Sequence, residues 1–201
     1  MNDGNRAAER RQLRQSLRET RRALPASARI AAANTLADHL LTLPFAPQSG
    51  YVAGYWAMDG EIALHAWQLR LPRACVYCLP VLCDDQRLRF ALWQPGDALV
   101  SNRFGIPEPD LSPSSLLEAD AMSLVAMPLV GFDESGNRLG MGGGWYDRSF
   151  AFRHESSAPP YLVGAAFAMQ QVPLFEAEAW DVRLDAVCTE LRCFDFHSMT
   201  T

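Results

Sequence analysis

Apolar residues near the N-terminus recur at the spacing of a helix. The segment 5–23 lacks proline and is rich in strong helix formers, and Leu13, Leu17 and Leu24 mark one apolar stripe. Pro25 ends this predicted helix. A second helix is predicted over 28–43, because Ser27 is a favoured N-cap residue and apolar side chains recur after it.

Six short apolar or alternating segments predict strands, and two further segments have helical character. We expect strands over 50–56, 75–82, 87–93, 121–130, 161–168 and 186–190, and helices over 61–71 and 145–153. Several prolines make 94–115 an irregular loop. Strands that alternate with helices indicate an α/β fold, here a layered α/β/α single domain over 1–201. Its central sheet is predicted to be mostly parallel, with an N-terminal pair of helices.

The composition is typical of a soluble globular protein, with 49% hydrophobic and 20% charged residues. The net charge of -5 and the pI near 5.3 argue against a nucleic-acid-binding protein. No apolar run is long enough for a membrane span, and the charged N-terminus lacks the apolar core of a secretory signal. We therefore expect a cytoplasmic protein, a monomer without nucleic-acid or membrane partners.

The five cysteines are expected to be free thiols, as is usual in a reducing compartment. Cys75 and Cys78 have the spacing of some redox and zinc sites. However, they lie within a predicted strand, where residues three apart face opposite sides. No second cysteine pair or histidine pair completes a zinc site, so core cysteines are the favoured interpretation.

A glycine-rich segment carries the chemistry. Four glycines fall between Gly140 and Gly144, and Trp145, Tyr146, Asp147 and Arg148 follow at once. Dense glycines let backbone N–H groups approach a ligand, and consecutive N–H groups form a concavity that suits phosphate. The loop is predicted between a central strand and a helix, where open α/β sheets bind ligands. A glycine-rich surface loop without a ligand is the alternative.

The standard phosphate loops do not fit. A Walker A motif ends in Gly-Lys-Ser/Thr, but all 18 basic residues here are arginine. The same absence excludes a lysine Schiff base or lysine nucleophile. The dinucleotide fingerprint fails because Trp145 stands where its third glycine belongs.

The chain resembles the 5-formyltetrahydrofolate cyclo-ligase family over nearly its whole length. Five ordered segments carry the resemblance: RRQLR at 10–14, DGEI at 59–62, FGIPEP at 104–109, MPLVGFD at 127–133 with the run from Gly136 through Arg148, and WDVRLD at 180–185. There are departures. The family usually has a basic residue within the glycine loop, where Met141 and Gly143 stand here. Trp145 replaces a usual tyrosine, and Arg10 a frequent lysine.

The resemblance implies an enzyme that uses Mg-ATP to convert 5-formyltetrahydrofolate, possibly polyglutamylated, to 5,10-methenyltetrahydrofolate. The formyl oxygen would attack the γ-phosphate, N10 would close the ring, and ADP and phosphate would be released. Such chemistry asks the protein mainly for positioning and charge neutralisation.

The resemblance also implies roles for individual residues. Arg138 and Tyr146 would be catalytic, and Asp147 and Asp181 would hold Mg²⁺. ATP would be bound by Arg10, Arg11, Gln12, Leu13 and Arg14 and by Arg138, Leu139, Gly140, Met141, Gly142, Gly143, Gly144, Trp145 and Tyr146. The folate would be bound by Trp56, Glu61 and Phe104 together with Met141, Gly142, Gly143, Gly144 and Trp145.

Simpler roles remain open for several of these residues. Glu61 and Asp147 would also suit the first turn of a helix, Asp181 a turn, and Trp56 the core. Two other functions are also open: an enzyme of related fold with a different phosphorylated or carboxylated substrate, and a non-enzymatic nucleotide- or RNA-binding module that uses the arginine-rich N-terminal helix.

Overall fold

Two helices open the chain, as predicted. The computed structural model describes residues 3–197, with α1 at Asp3–Arg22 and α2 at Ala26–Leu41. The proposed N-cap at Ser27 is wrong by two residues. Pro25 is the N-cap, and its carbonyl accepts the first helical hydrogen bond from the Arg29 amide.

The strands, in chain order, are β1 (Ser49–Ala53), β2 (Ala74–Leu82), β3 (Leu88–Leu92), β4 (Leu99–Ser101), β5 (Pro107–Pro109), β6 (Met122–Pro128), β7 (Gly131–Phe132), β8 (Arg138–Leu139), β9 (Tyr161–Ala165), β10 (Ala186–Cys188) and β11 (Cys193–Asp195). Seven of them form one sheet in the order β11-β10-β9-β6-β1-β2-β3. The pairs from β10 to β2 are parallel, and only the two edge strands are antiparallel. The predicted mostly parallel sheet is confirmed.

Both faces of this sheet are covered, which agrees with the predicted layers. Successive residues of β1 and β6 enter different apolar clusters, because side chains alternate across a strand. Val52 and Leu124 pack with Leu36 and Leu40 of α2 on one face. On the other face Ala53, Val125 and Met127 pack with Phe132 and Phe150.

Three predicted segments are wrong in part. Over 61–71 only α3 (His65–Gln68) is helical, because the Tyr55 hydroxyl bonds the Ile62 carbonyl and the Glu61 carboxylate bonds the Met58 amide. The helix over 145–153 divides into α4 (Trp145–Ser149) and a 3-10 turn at Ala151–His154. The loop over 94–115 contains the β4–β5 ladder, whose prolines lie in a short two-stranded sheet.

The cysteines lie as expected within the described chain. All five are free, and Cys75 and Cys78 contribute to the clusters on opposite faces of the sheet. Among residues 3–197, no helix combines the length and apolarity that a bilayer crossing needs.

Candidate active site

A short hairpin places the glycine loop. β6 ends at Pro128, and β7 and β8 then pair before the chain reaches Gly140. The turn of this hairpin is organised by Asp133, which is fully buried. Its carboxylate accepts hydrogen bonds from the backbone amides of Ser135, Asn137 and Phe175, at 2.9, 3.0 and 3.3 Å, and from the Asn137 side chain. The sequence did not predict this hairpin, so the loop follows a central strand less directly than expected.

The glycine loop uses conformations that favour glycine. Gly142 and Gly144 have φ values of 94° and 66°. A Cβ atom at Gly144 would also lie 2.6 Å from a guanidinium nitrogen of Arg148. Met141 points outward, with 55% of its surface exposed. The loop is therefore a glycine-shaped backbone that carries an exposed methionine rather than a cation.

Helix α1 reaches this loop. Arg14 Nε donates a hydrogen bond to the Gly140 carbonyl at 2.8 Å. Arg10, one turn away, bonds the Glu176 carbonyl and lies 3.4 Å from Glu178. Burial, and then the charge of Arg10, lowers the pKa of Arg14. The two arginines therefore share a face of α1 beside the loop, as their spacing predicted.

Arg138 and Asp147 form a largely buried ion pair. Arg138 Nη2 donates to Asp147 Oδ1 at 2.8 Å, and the same oxygen accepts from the Val182 amide. The Arg138 guanidinium also lies 5.5 Å from the centre of the Tyr146 ring. Arg138 Nε is buried and has no hydrogen-bond partner within the described chain. The arginine is held firmly while one of its donors is left unpaired.

The contacts of Asp147 and Asp181 fit a Mg²⁺ site. Val182, which bonds Asp147, directly follows Asp181, so the two carboxylates belong to one region. Asp147 Oδ2 and Asp181 Oδ1 accept no hydrogen bond within residues 3–197, while Asp181 Oδ2 bonds the Glu178 amide. Mg²⁺ takes one or two carboxylates, with phosphate oxygens and water as its other ligands. Within residues 3–197, no cluster of three or more candidate metal ligands occurs.

Glu61 lies in an interior that is rich in aromatic residues. Its side chain is 12% exposed and lies 3.9 Å from Arg21. Desolvation raises the pKa of Glu61, although the Met58 amide and the Arg21 charge oppose the shift. Desolvation also raises the pKa of Tyr146, the charge of Arg138 opposes it, and Glu61 adds to it. The start of α4 and the Glu61 loop therefore face one interior region.

Aromatic rings continue the site on two sides. Trp56 packs edge-on against Trp93 and His65 at 5.8 and 6.2 Å between ring centres. Phe104 is 57% exposed and packs edge-on against Trp145 at 6.3 Å. One group of rings is centred on Trp56, and the other lies beside the glycine loop at Trp145.

A family model for the 5-formyltetrahydrofolate cyclo-ligase family matches residues 6–190. The chain belongs to this family. A family member from Haemophilus influenzae is 37% identical over 87% of this chain and 94% of its own. One from Escherichia coli is 35% identical over 90% of this chain and all of its own. Both are named 5-formyltetrahydrofolate cyclo-ligase, and this cyclo-ligase family member is accordingly an enzyme of the ligase class.

Solved structures support the same family. A 5,10-methenyltetrahydrofolate synthetase from Aquifex aeolicus superposes with a TM-score of 0.77 and 26% identity, covering 93% of this chain and 92% of its own. A synthetase from Mycoplasma pneumoniae has a TM-score of 0.71 at 20% identity, covering 90% of this chain and 98% of its own, and shows the shared fold.

Most of the expected site residues of this cyclo-ligase family member lie around the loop, but two do not contribute contacts. Arg11 and Gln12 are exposed and make no polar contact within residues 3–197. The other arginines of α1 contact protein groups. Arg6, for example, pairs with Glu176, so little of this helix remains as a free basic arm for RNA.

Sequence reasoning missed how α1 holds the Glu61 loop. The carboxylate of Asp59 accepts hydrogen bonds from Arg18, Arg21 and Arg22. Arg21 is 1% exposed and also bonds the carbonyls of Asp59 and Leu129. The signal was present, because Arg14, Arg18 and Arg21 recur at helical spacing, which continues the face that begins at Arg10.

Proposed function

We propose that this protein converts 5-formyltetrahydrofolate to 5,10-methenyltetrahydrofolate with conversion of ATP to ADP and phosphate. Membership of the cyclo-ligase family gives the reaction class. The observation that carries the assignment to this site is the contact between Arg14 and Gly140, which joins the basic face of α1 to the glycine loop. Cations and a glycine-shaped backbone then lie together, as triphosphate binding requires.

ATP is proposed to lie between this face and the loop. Arg10 and Arg14 would neutralise phosphate charge, and backbone groups from Arg138 to Tyr146 would surround the phosphates. Leu13, which is partly buried, would complete the wall of the site. Burial and then the charge of Arg10 lower the pKa of Arg14, and a bound phosphate would balance the charges of these two arginines.

Asp147 and Asp181 would hold Mg²⁺. The ion, when bound, supplies charge neutralisation for the phosphates. Asp147 would also keep its hydrogen bond from Arg138, so that one carboxylate orients the arginine beside the ion. The free oxygen on each carboxylate supports this assignment.

In the proposed reaction the formyl oxygen attacks the γ-phosphorus, and ADP leaves. N10 then attacks the formyl carbon and loses its proton, the carbon–oxygen bond breaks, and that oxygen departs with inorganic phosphate. Arg138, with its unpaired Nε, would stabilise charge that develops on the transferred group. The Tyr146 hydroxyl is protonated at neutral pH, and burial raises its pKa further, so it would donate a hydrogen bond.

The folate is proposed to occupy the aromatic interior beside Glu61. Its pterin edge carries N–H donors, and the largely buried Glu61 carboxylate would accept hydrogen bonds from them. Trp56 would wall the pterin, while Phe104 and Trp145 would flank the more exposed part of the folate. Burial raises the pKa of Glu61, and hydrogen bonds from the pterin would favour its charged form.

The test follows the absorbance of methenyl-folate in mixtures of protein, Mg-ATP and 5-formyltetrahydrofolate, with ATP or the folate omitted in parallel. Arg138→Ala is expected to lower kcat by about 10²- to 10³-fold. Arg70→Ala is the matched control, since Arg70 forms an exposed ion pair with Asp38, and it should leave the rate unchanged. Absence of product from folded wild-type protein would refute the proposed function and favour a different substrate.

A further inference from the structure

Two cysteines face each other at the edge of the sheet. β10 and β11 are antiparallel, and Cys188 and Cys193 are directly opposed in their register. Their sulfur atoms are 2.6 Å apart. Cys188 is buried, whereas Cys193 is partly exposed. The pair therefore combines a half-buried cysteine with a fully buried one.

The turn between them holds this geometry. The Thr189 hydroxyl donates to the Arg192 carbonyl at 2.9 Å and accepts from the amides of Leu191 and Arg192, both at 3.2 Å. Directly opposed residues of antiparallel strands have Cα atoms about 4.5–5.5 Å apart. A disulfide needs a Cα separation of about 4.4–6.8 Å. The backbone would need no large movement to accept the bond.

The other cysteines lack such a partner. Within residues 3–197, the thiol of Cys75 bonds the Pro47 carbonyl, that of Cys78 the Val76 carbonyl, and that of Cys83 the Val81 carbonyl. Cys75 and Cys78 also pack on opposite faces of the sheet. Only the β10–β11 pair brings two sulfur atoms into contact in this part of the chain.

We propose that Cys188 and Cys193 form a redox modification site that closes to an intramolecular disulfide when a peroxide oxidises it. The Cys193 thiolate attacks a peroxide oxygen, which gives a sulfenic acid and releases hydroxide or alkoxide. The Cys188 thiol then attacks the Cys193 sulfur, the sulfur–oxygen bond breaks, and water leaves with the thiol proton. The two cysteines lose two electrons, and the peroxide gains them.

The environments of the two thiols fit these roles. The hydrogen bond from Cys188 lowers the pKa of Cys193, against opposing effects of burial and of the Asp195 charge. The same hydrogen bond, together with burial, raises the pKa of Cys188. Cys193, the less buried of the two, is therefore assigned the attacking role, and Cys188 is assigned the role of the thiol that closes the disulfide.

Trypsin provides a direct test, because Arg192 lies between the two cysteines. The folded protein is treated with hydrogen peroxide, blocked with a thiol alkylator and digested without reduction. Peptides 184–192 and 193–201 should appear joined, lighter by two hydrogen atoms than their sum, and should separate on reduction. The number of free thiols per chain should fall from five to three.

Two variants make the test specific. Cys193→Ser should abolish the joined peptides, while Cys83→Ser, which removes a cysteine outside the pair, should leave them. Joined peptides in wild type and in Cys83→Ser support the proposal. Oxidation of Cys193 to sulfinic or sulfonic acid without joining, or joining of either cysteine mainly to Cys75, Cys78 or Cys83, would overturn it. The readout does not depend on the cyclo-ligase reaction, so either proposal can fail alone.

Discussion

Asp59→Asn should destabilise the fold by removing the charge on which three arginines converge. Desolvation alone would raise the pKa of Asp59, but hydrogen bonds from Arg18 and Arg22, together with the Arg21 contact, outweigh it and lower that pKa from 3.8 to about 2. Asparagine keeps the side-chain shape and tolerates the positive φ of 53° at this position. The substitution therefore tests the charge rather than the backbone.

The size of the effect follows from the pKa. Lowering the pKa from 3.8 to about 2 corresponds to between about 2 and 3 kcal/mol of stability at neutral pH. The side chain is 21% exposed, so solvent screening reduces this value, and we expect a loss of about 2 kcal/mol. In the variant, buried Arg21 would keep its hydrogen bonds to the Asp59 and Leu129 carbonyls and its contact with Glu61. These contacts limit any additional loss of stability from Arg21 itself.

Urea unfolding at several pH values measures the effect. Because the folded pKa is lowered, the stabilisation is present above pH 3.8 and is lost as the pH falls toward 2. The difference in free energy of unfolding between wild type and Asp59→Asn should therefore become smaller over that pH interval. Asp38→Asn is the matched control. Its pair with Arg70 is 58% and 44% exposed, and its loss should cost less than about 1 kcal/mol. The reasoning would be refuted if Asp59→Asn and Asp38→Asn lowered the free energy of unfolding equally. It would also be refuted if the difference between wild type and Asp59→Asn did not depend on pH.

Three further outcomes are expected. Glu61→Gln should raise KM for the folate about tenfold with little change in KM for ATP. In wild type, KM for the folate should rise as the pH falls through the raised pKa of Glu61. Steady-state kinetics with each substrate varied would check both outcomes. Met141→Arg should lower KM for ATP several-fold without changing Tm, since the side chain is 55% exposed, and an unchanged KM would mean that the loop needs no added cation. Gly136→Ala should lower the free energy of unfolding in urea by about 2 kcal/mol or more, because φ at this position is 81° and the alanine Cβ would lie 2.7 Å from Phe196. A decrease below about 0.5 kcal/mol would contradict this.

Periodicity was enough to predict the sheet and the two N-terminal helices. The strands around β6 are buried on both faces, so they appear in the sequence as apolar runs with clear ends. The error at 61–71 has a local cause. Hydrogen bonds from Tyr55 and to Glu61 fix a non-helical backbone, and such contacts between side chain and backbone leave no periodic trace.

The loop and its flanking arginine could be predicted because glycine density and local charge are visible in the sequence. The pairing of Arg138 with Asp147 is local, and its two members lie nine residues apart. By contrast, Arg21 and Asp59 are separated by 38 residues and meet only once α1 packs across the Glu61 loop. The opposition of Cys188 and Cys193 likewise required a hairpin that the sequence did not predict, since β11 is only three residues long.

The most direct test of the central claim follows the formyl oxygen. 5-Formyltetrahydrofolate that carries a heavy oxygen isotope in its formyl group is incubated with the protein and Mg-ATP, and the released phosphate is analysed by mass spectrometry. Attack of that oxygen on the γ-phosphorus predicts one heavy oxygen in each phosphate, in step with the methenyl-folate formed. Phosphate without the label, while methenyl-folate accumulates, would contradict the account.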